Sequence, residues 1–155
     1  DYPGLNIKQV DVINHDNLEH SFTINYGGGN DLKLESRYFK TFVPDFDTLA
    51  VKDYLLLYKK VHIETYVSHM SPAAEDSLLN TSAAYTVSVT DNVGGKKKID
   101  LYWKTGGAPL YDEMGNLLPW DGARMYGVVN GDDVVLVQRF VFDPILQSIE
   151  RFLKQ

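Results

Sequence analysis

Residues able to do chemistry are sparse in this chain, and one set sits in His62-Ile63-Glu64 with His69 close behind. In an extended segment His62 and Glu64 project from the same face, and imidazole plus carboxylate is a pair that ligates zinc. A zinc site needs at least a third fixed ligand, and the candidate, His69, is expected at a flexible strand end. A metal-dependent hydrolase on His62, Glu64 and His69 is the activity this set would support, against the plainer alternative of an exposed polar sheet face. His15 and His20 flank the turn Asp16-Asn17-Leu18-Glu19 and read as ordinary turn polarity. The second set is aromatic. Tyr102, Trp103, Tyr111 and Trp120 lie along one hairpin and its loop, and such rings stack on sugars or anchor protein interfaces. Alternation sends Tyr102 and Trp103 to opposite faces, so at least one is expected in the core. Trp120, between Pro119 and Asp121, is the ring most expected to touch a partner, or else to fold back and plug the sheet edge.

Other chemistries lack their parts. No G-x-S-x-G elbow occurs, and Gly27-Gly28-Gly29 has no following Lys-Ser/Thr to make a phosphate loop. Asp112-Glu113-Met114-Gly115-Asn116 lacks the ligand register of a calcium loop, and like Asp132-Asp133 it sits among turn residues. There is no cysteine, which removes disulfides, thiolate catalysis and thiolate-bound metals. The net charge is −6, and the one basic run, Lys96-Lys97-Lys98, follows the turn Val93-Gly94-Gly95. Nucleic acid is therefore not an expected partner, and no cofactor is expected.

A length of 155 residues, 44% hydrophobic and 23% charged, fits one globular domain. No stretch approaches the roughly 20 apolar residues needed to span a bilayer. The chain starts at Asp1 rather than Met, which reads as a mature or excised fragment. Alternation predicts a strand from about Ile7 to Asn14, a second from His20 to Tyr26, and a third from Leu32 after a glycine turn. Asp47 caps a helix running to about Lys60, and a strand follows over Val61 to Ser68. Ser71-Pro72 opens a short helix ending near Leu79. Tyr85 to Asp91 and Lys98 to Lys104 form a hairpin. Thr105 to Ala123, rich in glycine and proline, is expected to be functional, mobile or hiding a small hairpin. Two β-branched runs then flank Asn130-Gly131, a strong turn signal. Last, Asp143 caps and Pro144 opens a terminal helix, with Ile145, Leu146, Ile149, Phe152 and Leu153 on one face.

A weak internal repeat relates Phe46-Asp47-Thr48-Leu49 to Phe142-Asp143-Pro144-Ile145, with Leu56-Leu57 and Phe152-Leu153 at the same spacing beyond. The expected fold is α+β: two similar antiparallel sheet-plus-helix units packed as one compact protein. The whole of 1-155 reads as a single domain, with sub-units 1-70 and 82-155 joined by a short helix or linker over 71-81.

Five stretches carry a resemblance to a known family. They are Ile7-Lys8-Gln9-Val10-Asp11-Val12, the Asp47 helix ending in Leu56-Leu57-Tyr58, Tyr85-Thr86-Val87-Ser88-Val89-Thr90-Asp91, Arg124-Met125-Tyr126-Gly127-Val128, and Asp133-Val134-Val135-Leu136-Val137. Together they resemble a bacterial envelope domain of unknown function, found in membrane-anchored lipoproteins and beside auxiliary components of ABC-type transport systems, including those of gliding bacteria. The likeness covers nearly the whole chain by pattern more than by invariant motif, and Thr105 to Pro119 looks longer than the family norm. It implies the periplasm or cell surface of a bacterium, attachment to membrane only through an anchor outside this sequence, and another envelope protein as partner. It supplies no catalytic residues. The expected function is a non-catalytic envelope binding or scaffolding module. A glycan-binding module using Trp103, Tyr111 and Trp120 is the alternative, and the metal-dependent hydrolase comes third.

Overall fold

The computed structural model describes residues 6–59 and 71–154. The strands in chain order are β1 (Ile7–Asn14), β2 (Phe22–Gly28), β3 (Asp31–Ser36), β4 (Thr41–Phe42), β5 (Tyr85–Asp91), β6 (Lys96–Tyr111), β7 (Leu117–Val129) and β8 (Asp133–Gln138). The helices are α1 (Thr48–Leu57), α2 (Pro72–Leu79) and α3 (Arg139–Phe142), and single 3-10 turns occupy Leu18–His20 and Ile149–Phe152.

Among the described residues the strands make one antiparallel sheet of eight, in the order β4-β3-β2-β1-β5-β6-β7-β8. This corrects the expectation of two sheet-plus-helix units. Each half does form a meander, but β1 pairs with β5 from Asn14↔Tyr85 to Ile7↔Asp91, so the meanders fuse. Two separate sheets would each leave a valine-rich inner strand with a bare edge of unpaired N–H and C=O groups, whereas fusion satisfies both edges at once.

Fusion leaves one shared core. Cross-strand rows place Val10, Val12, Phe22, Ile24, Leu34, Val87, Ile99, Leu101, Met125, Val135 and Val137 on a single face. Val51, Tyr54 and Leu55 of α1 cover it, together with Phe142, Ile145, Ile149 and Phe152 of the C-terminal segment. α1 starts where expected: Asp47 accepts from the Ala50 N–H at 3.0 Å. α2 starts on Ser71, which accepts from the Ala74 N–H at 3.2 Å. Leu78 of α2 belongs to a second, smaller cluster on the opposite sheet face, with Tyr102, Val128 and Val134. Much of the remaining face is polar, with Asp11, Thr23 and Glu35 in one row and Ile13 an apolar exception.

A second correction concerns the C-terminus. Asp143 does not open a long helix; it ends α3, its N–H bonded to the Arg139 carbonyl at 2.6 Å. Pro144 has no N–H to bond back to Phe140, yet the turn runs on past it, with Leu146 N–H on the Phe142 carbonyl at 3.0 Å, and stops before Ser148. Ser148, at ψ 152°, then restarts the chain as a single 3-10 turn and caps it through Glu150 N–H. The apolar spacing is still used. Ile145, Ile149 and Phe152 are buried, while Leu153 turns out and bridges to Phe46. The expected strand over Val61 to Ser68, and the expected end of the first helix at Lys60, lie outside the described residues; α1 itself ends at Leu57.

Two buried tyrosines give opposite expectations for the same substitution. Tyr54 donates to the Ile145 carbonyl at 2.6 Å and, having one hydrogen, accepts from Tyr58 at 2.7 Å. The Tyr26 hydroxyl is buried with no hydrogen-bond partner among the described residues. Deleting an orphaned buried hydroxyl removes a desolvation cost, so Tyr26→Phe should stabilise by about 1 kcal/mol. Tyr54→Phe should destabilise by a similar amount, because it orphans both the Ile145 carbonyl and the Tyr58 hydroxyl. Urea unfolding midpoints of the two variants check the contrast.

Candidate functional site

One end of the sheet collects most of the residues with side chains available for recognition. β5 begins there at Tyr85, β1 ends there at Asn14, and β6 and β7 run out past it. β6 pairs with β5 only as far as Leu101, and β7 pairs with β8 only as far as Arg124. Beyond those points, among the described residues, the two strands pair only with each other, up to Tyr111↔Leu117. Thr105 to Ala123 is thus a two-stranded ribbon rather than a loop. Among the described residues, both of its long edges carry backbone donors and acceptors without a sheet neighbour.

A bulge bends the ribbon at its root. Thr105 pairs with Trp120 and Leu110 with Leu118, so Gly106-Gly107-Ala108-Pro109 oppose Pro119 alone. Gly106 and Gly107 take φ of +76° and +77°, which only glycine adopts without strain. The bulge wraps over Asp121. This side chain is 2% exposed, yet it accepts from the N–H groups of Ala123 at 2.7 Å and Arg124 at 3.3 Å. Lys104 Nζ lies 3.4 Å from its other oxygen. The Ala123 N–H above all, then Arg124 and Lys104, hold the carboxyl below its ordinary pKa, against the opposing effect of burial.

Trp103 and Trp120 meet at this root. Their rings stack with centroids 6.2 Å apart and planes at 18°. Trp103 Nε1 donates to Asp16 at 3.1 Å, and Tyr85 meets the same ring edge-on. The Arg139 guanidinium lies 5.1 Å from the Trp103 centroid, a cation–π distance, and Arg139 Nη1 reaches the Asp121 carbonyl at 3.4 Å. Trp103 is therefore engaged by the protein itself, and Trp120, half-buried, is folded back onto it.

Tyr111 stands apart from that pair, at the far end of the ribbon. It is 58% exposed, with Met114 at 87% and Leu117 at 66%. The connecting turn is tied by Asp112, which accepts from Met114 N–H at 2.9 Å and Asn116 N–H at 2.8 Å. Those bonds, Asn116 first, lower the Asp112 pKa. The aspartate serves the turn.

His62, Glu64 and His69 lie outside the described residues. Among the described residues, no group of three or more His, Asp or Glu side chains is placed to hold a metal ion. His20 contacts Asn17 and lies 3.7 Å from Glu150, whereas His15 bonds Thr86. Arg139 and Asp121 are the residues sequence reasoning missed. For Asp121 a signal existed, since paired glycines inside a strand pattern mark a bulge or a close backbone approach. For Arg139 there was none; its contact with Trp103 is purely tertiary. No family model, curated protein or solved structure matches this chain.

Proposed function

We propose that the chain is a non-catalytic binding or scaffolding module whose contact element is the outer β6–β7 ribbon. The observation that carries this reading is a ribbon that outruns its sheet neighbours, both edges unpaired among the described residues, with Tyr111, Met114 and Leu117 exposed at its end. A bare strand edge takes up a strand from another protein through main-chain bonds, and neighbouring pockets for alternate side chains give the choice of partner. A long apolar and aromatic side chain held out on a ribbon gains burial only when a partner arrives. The stapled root supports the same reading, because stacked tryptophans, Arg139 and Asp121 fix the direction in which the ribbon leaves the sheet. The resemblance to envelope lipoprotein domains makes another envelope protein the first partner to test.

The test uses two positions of matched exposure at opposite ends of β6. Met114 is 87% exposed at the ribbon turn, and Val93 is 86% exposed at the β5–β6 turn. A photo-crosslinking amino acid at Met114 should give discrete adducts in bacterial envelope extract, and Tyr111→Ala should reduce them several-fold. The same probe at Val93 should give none. Equal labelling from both positions, or adducts indifferent to Tyr111→Ala, would defeat the proposal.

A further inference from the structure

A cleft at the β3–β4 corner of the same sheet end takes no part in the ribbon. It measures about 330 Å³. Its lining combines Ile13, Leu18 and Tyr38 with Ser21 and the nitrogen-bearing residues His15, Arg37 and Lys40. Among the described residues its lining holds no carboxylate.

Two of those polar groups are braced from behind by the polar face of the sheet. Arg37 Nη1 donates to Asp11 at 3.0 Å, and Asp11 in turn accepts from the Thr23 hydroxyl. The Asp11 side chain is 16% exposed and that of Arg37 is 42%, so the carboxylate sits behind and the guanidinium in front. A guanidinium has five N–H donors, and this bond orients the group while using one. His15 Nε2 lies 2.8 Å from the Thr86 hydroxyl, whose single hydrogen goes to Asp100. The imidazole therefore donates from Nε2, and Nδ1 is the ring nitrogen not held by the sheet.

Lys40 adds a third observation. Its φ is +55°, a left-handed conformation that costs a side-chain-bearing residue about 1–2 kcal/mol. The turn enforces it, with Phe39 N–H bonded to Ser36 Oγ at 3.1 Å and Arg37 N–H to the Ser21 carbonyl at 3.2 Å. The Lys40 ammonium has no ion-pair or hydrogen-bond partner among the described residues. Strain of this kind, held by surrounding structure, concentrates where ligands are clamped.

We propose that this cleft binds a small organic acid, with its carboxylate between Arg37 and Lys40 and its apolar body against Ile13, Leu18 and Tyr38. With Asp11 paired to Arg37, the group Arg37, Lys40 and Asp11 keeps one net positive charge, which suits a single negative charge, and arginine grips a carboxylate through paired N–H groups. At roughly 30 Å³ per water, the volume holds about ten non-hydrogen atoms, which is the size of an aryl-acetic acid. The inference is independent of the ribbon's role.

Phenylacetate and its neutral analogue phenylacetamide serve as probes, added to the isotope-labelled chain and followed by amide chemical shifts. Phenylacetate should give saturable shifts centred on Ile13, Leu18, Ser21, Arg37 and Lys40, and phenylacetamide should bind at least tenfold more weakly. Arg37→Gln should raise the Kd at least tenfold. Lys40→Gly removes the ammonium while suiting the positive φ, so it keeps the fold, and it should raise the Kd severalfold. Absence of saturable shifts, equal binding of the amide, or an unchanged Kd in Lys40→Gly would each overturn the proposal.

Discussion

Phe152→Ala should lower the unfolding free energy by about 3–5 kcal/mol, the range for deleting a fully buried ring. Phe152 is 1% exposed and makes edge-to-face contacts with Phe22 at 5.0 Å and Tyr54 at 5.2 Å. Phe22 and Tyr54 meet each other at 5.5 Å, closing a triangle of rings between β2, α1 and the C-terminal turn. Such pairs add about 0.5–1.5 kcal/mol beyond the area they bury. The backbone is involved as well, since the Phe152 carbonyl accepts from Asp47 N–H at 2.7 Å where α1 begins. Removing the ring thus loosens both segments that cover the main core face. Native proteins have a total stability of only about 5–15 kcal/mol, so one substitution would consume a large share. The neighbouring Leu153 is 38% exposed, and Leu153→Ala should cost less than about 1 kcal/mol. Urea denaturation with an unchanged slope would show the loss as stability rather than altered compactness. Similar midpoints for the two variants would mean that the aromatic triangle does not hold the C-terminal turn in place.

That contrast also shows what the amino-acid pattern could and could not convey. The spacing of Ile145, Ile149 and Phe152 correctly marks a buried stripe, but a stripe at helical spacing is equally served by two short turns separated by the extended Ser148. Local chemistry was readable. Asn130 and Gly131 take φ of +51° and +81° in the turn between β7 and β8, and Asp47 and Ser71 cap the helices that follow them. Pairing over long separation was not. Nothing in Val10-Asp11-Val12 says that its second neighbour is Val87-Ser88-Val89 rather than a strand of its own half, so the pattern alone suits two sheets as well as one. The ribbon was hidden for a different reason. Glycine and proline punctuate a loop and a bulge alike, and only the register Thr105↔Trp120 followed by Leu110↔Leu118 separates the two. Of the aromatic residues singled out, Trp103 and Trp120 come together and Tyr111 does not, because the bulge sets their distance along the ribbon.

The second large effect is expected at that bulge. Asp121→Ala should cost about 2–4 kcal/mol, because it strands the Ala123 and Arg124 N–H groups and leaves Lys104 without its counter-ion at a sequestered site. Gly107→Ala attacks the same contact from the other strand. A methyl there would lie 2.1 Å from Asp121 Oδ2, and φ of +77° is itself strained for alanine. The loss should be local. Amide exchange should accelerate at Ala123 and Arg124 and along the ribbon, while β1, β2 and β5 keep their protection. Acid should reproduce the effect in the unaltered chain. The folded Asp121 pKa lies below its ordinary value of 3.8, so its contribution is complete above that value and disappears as pH falls through the lower folded pKa. Asp121→Asn should flatten this acid dependence of ribbon exchange. Because the root aims the ribbon, Gly107→Ala should also weaken crosslinking from Met114 although it touches neither Met114 nor Tyr111. A ribbon that loses its exchange protection in Gly107→Ala yet crosslinks as before would show that recognition needs the exposed side chains alone and not the direction the bulge gives them.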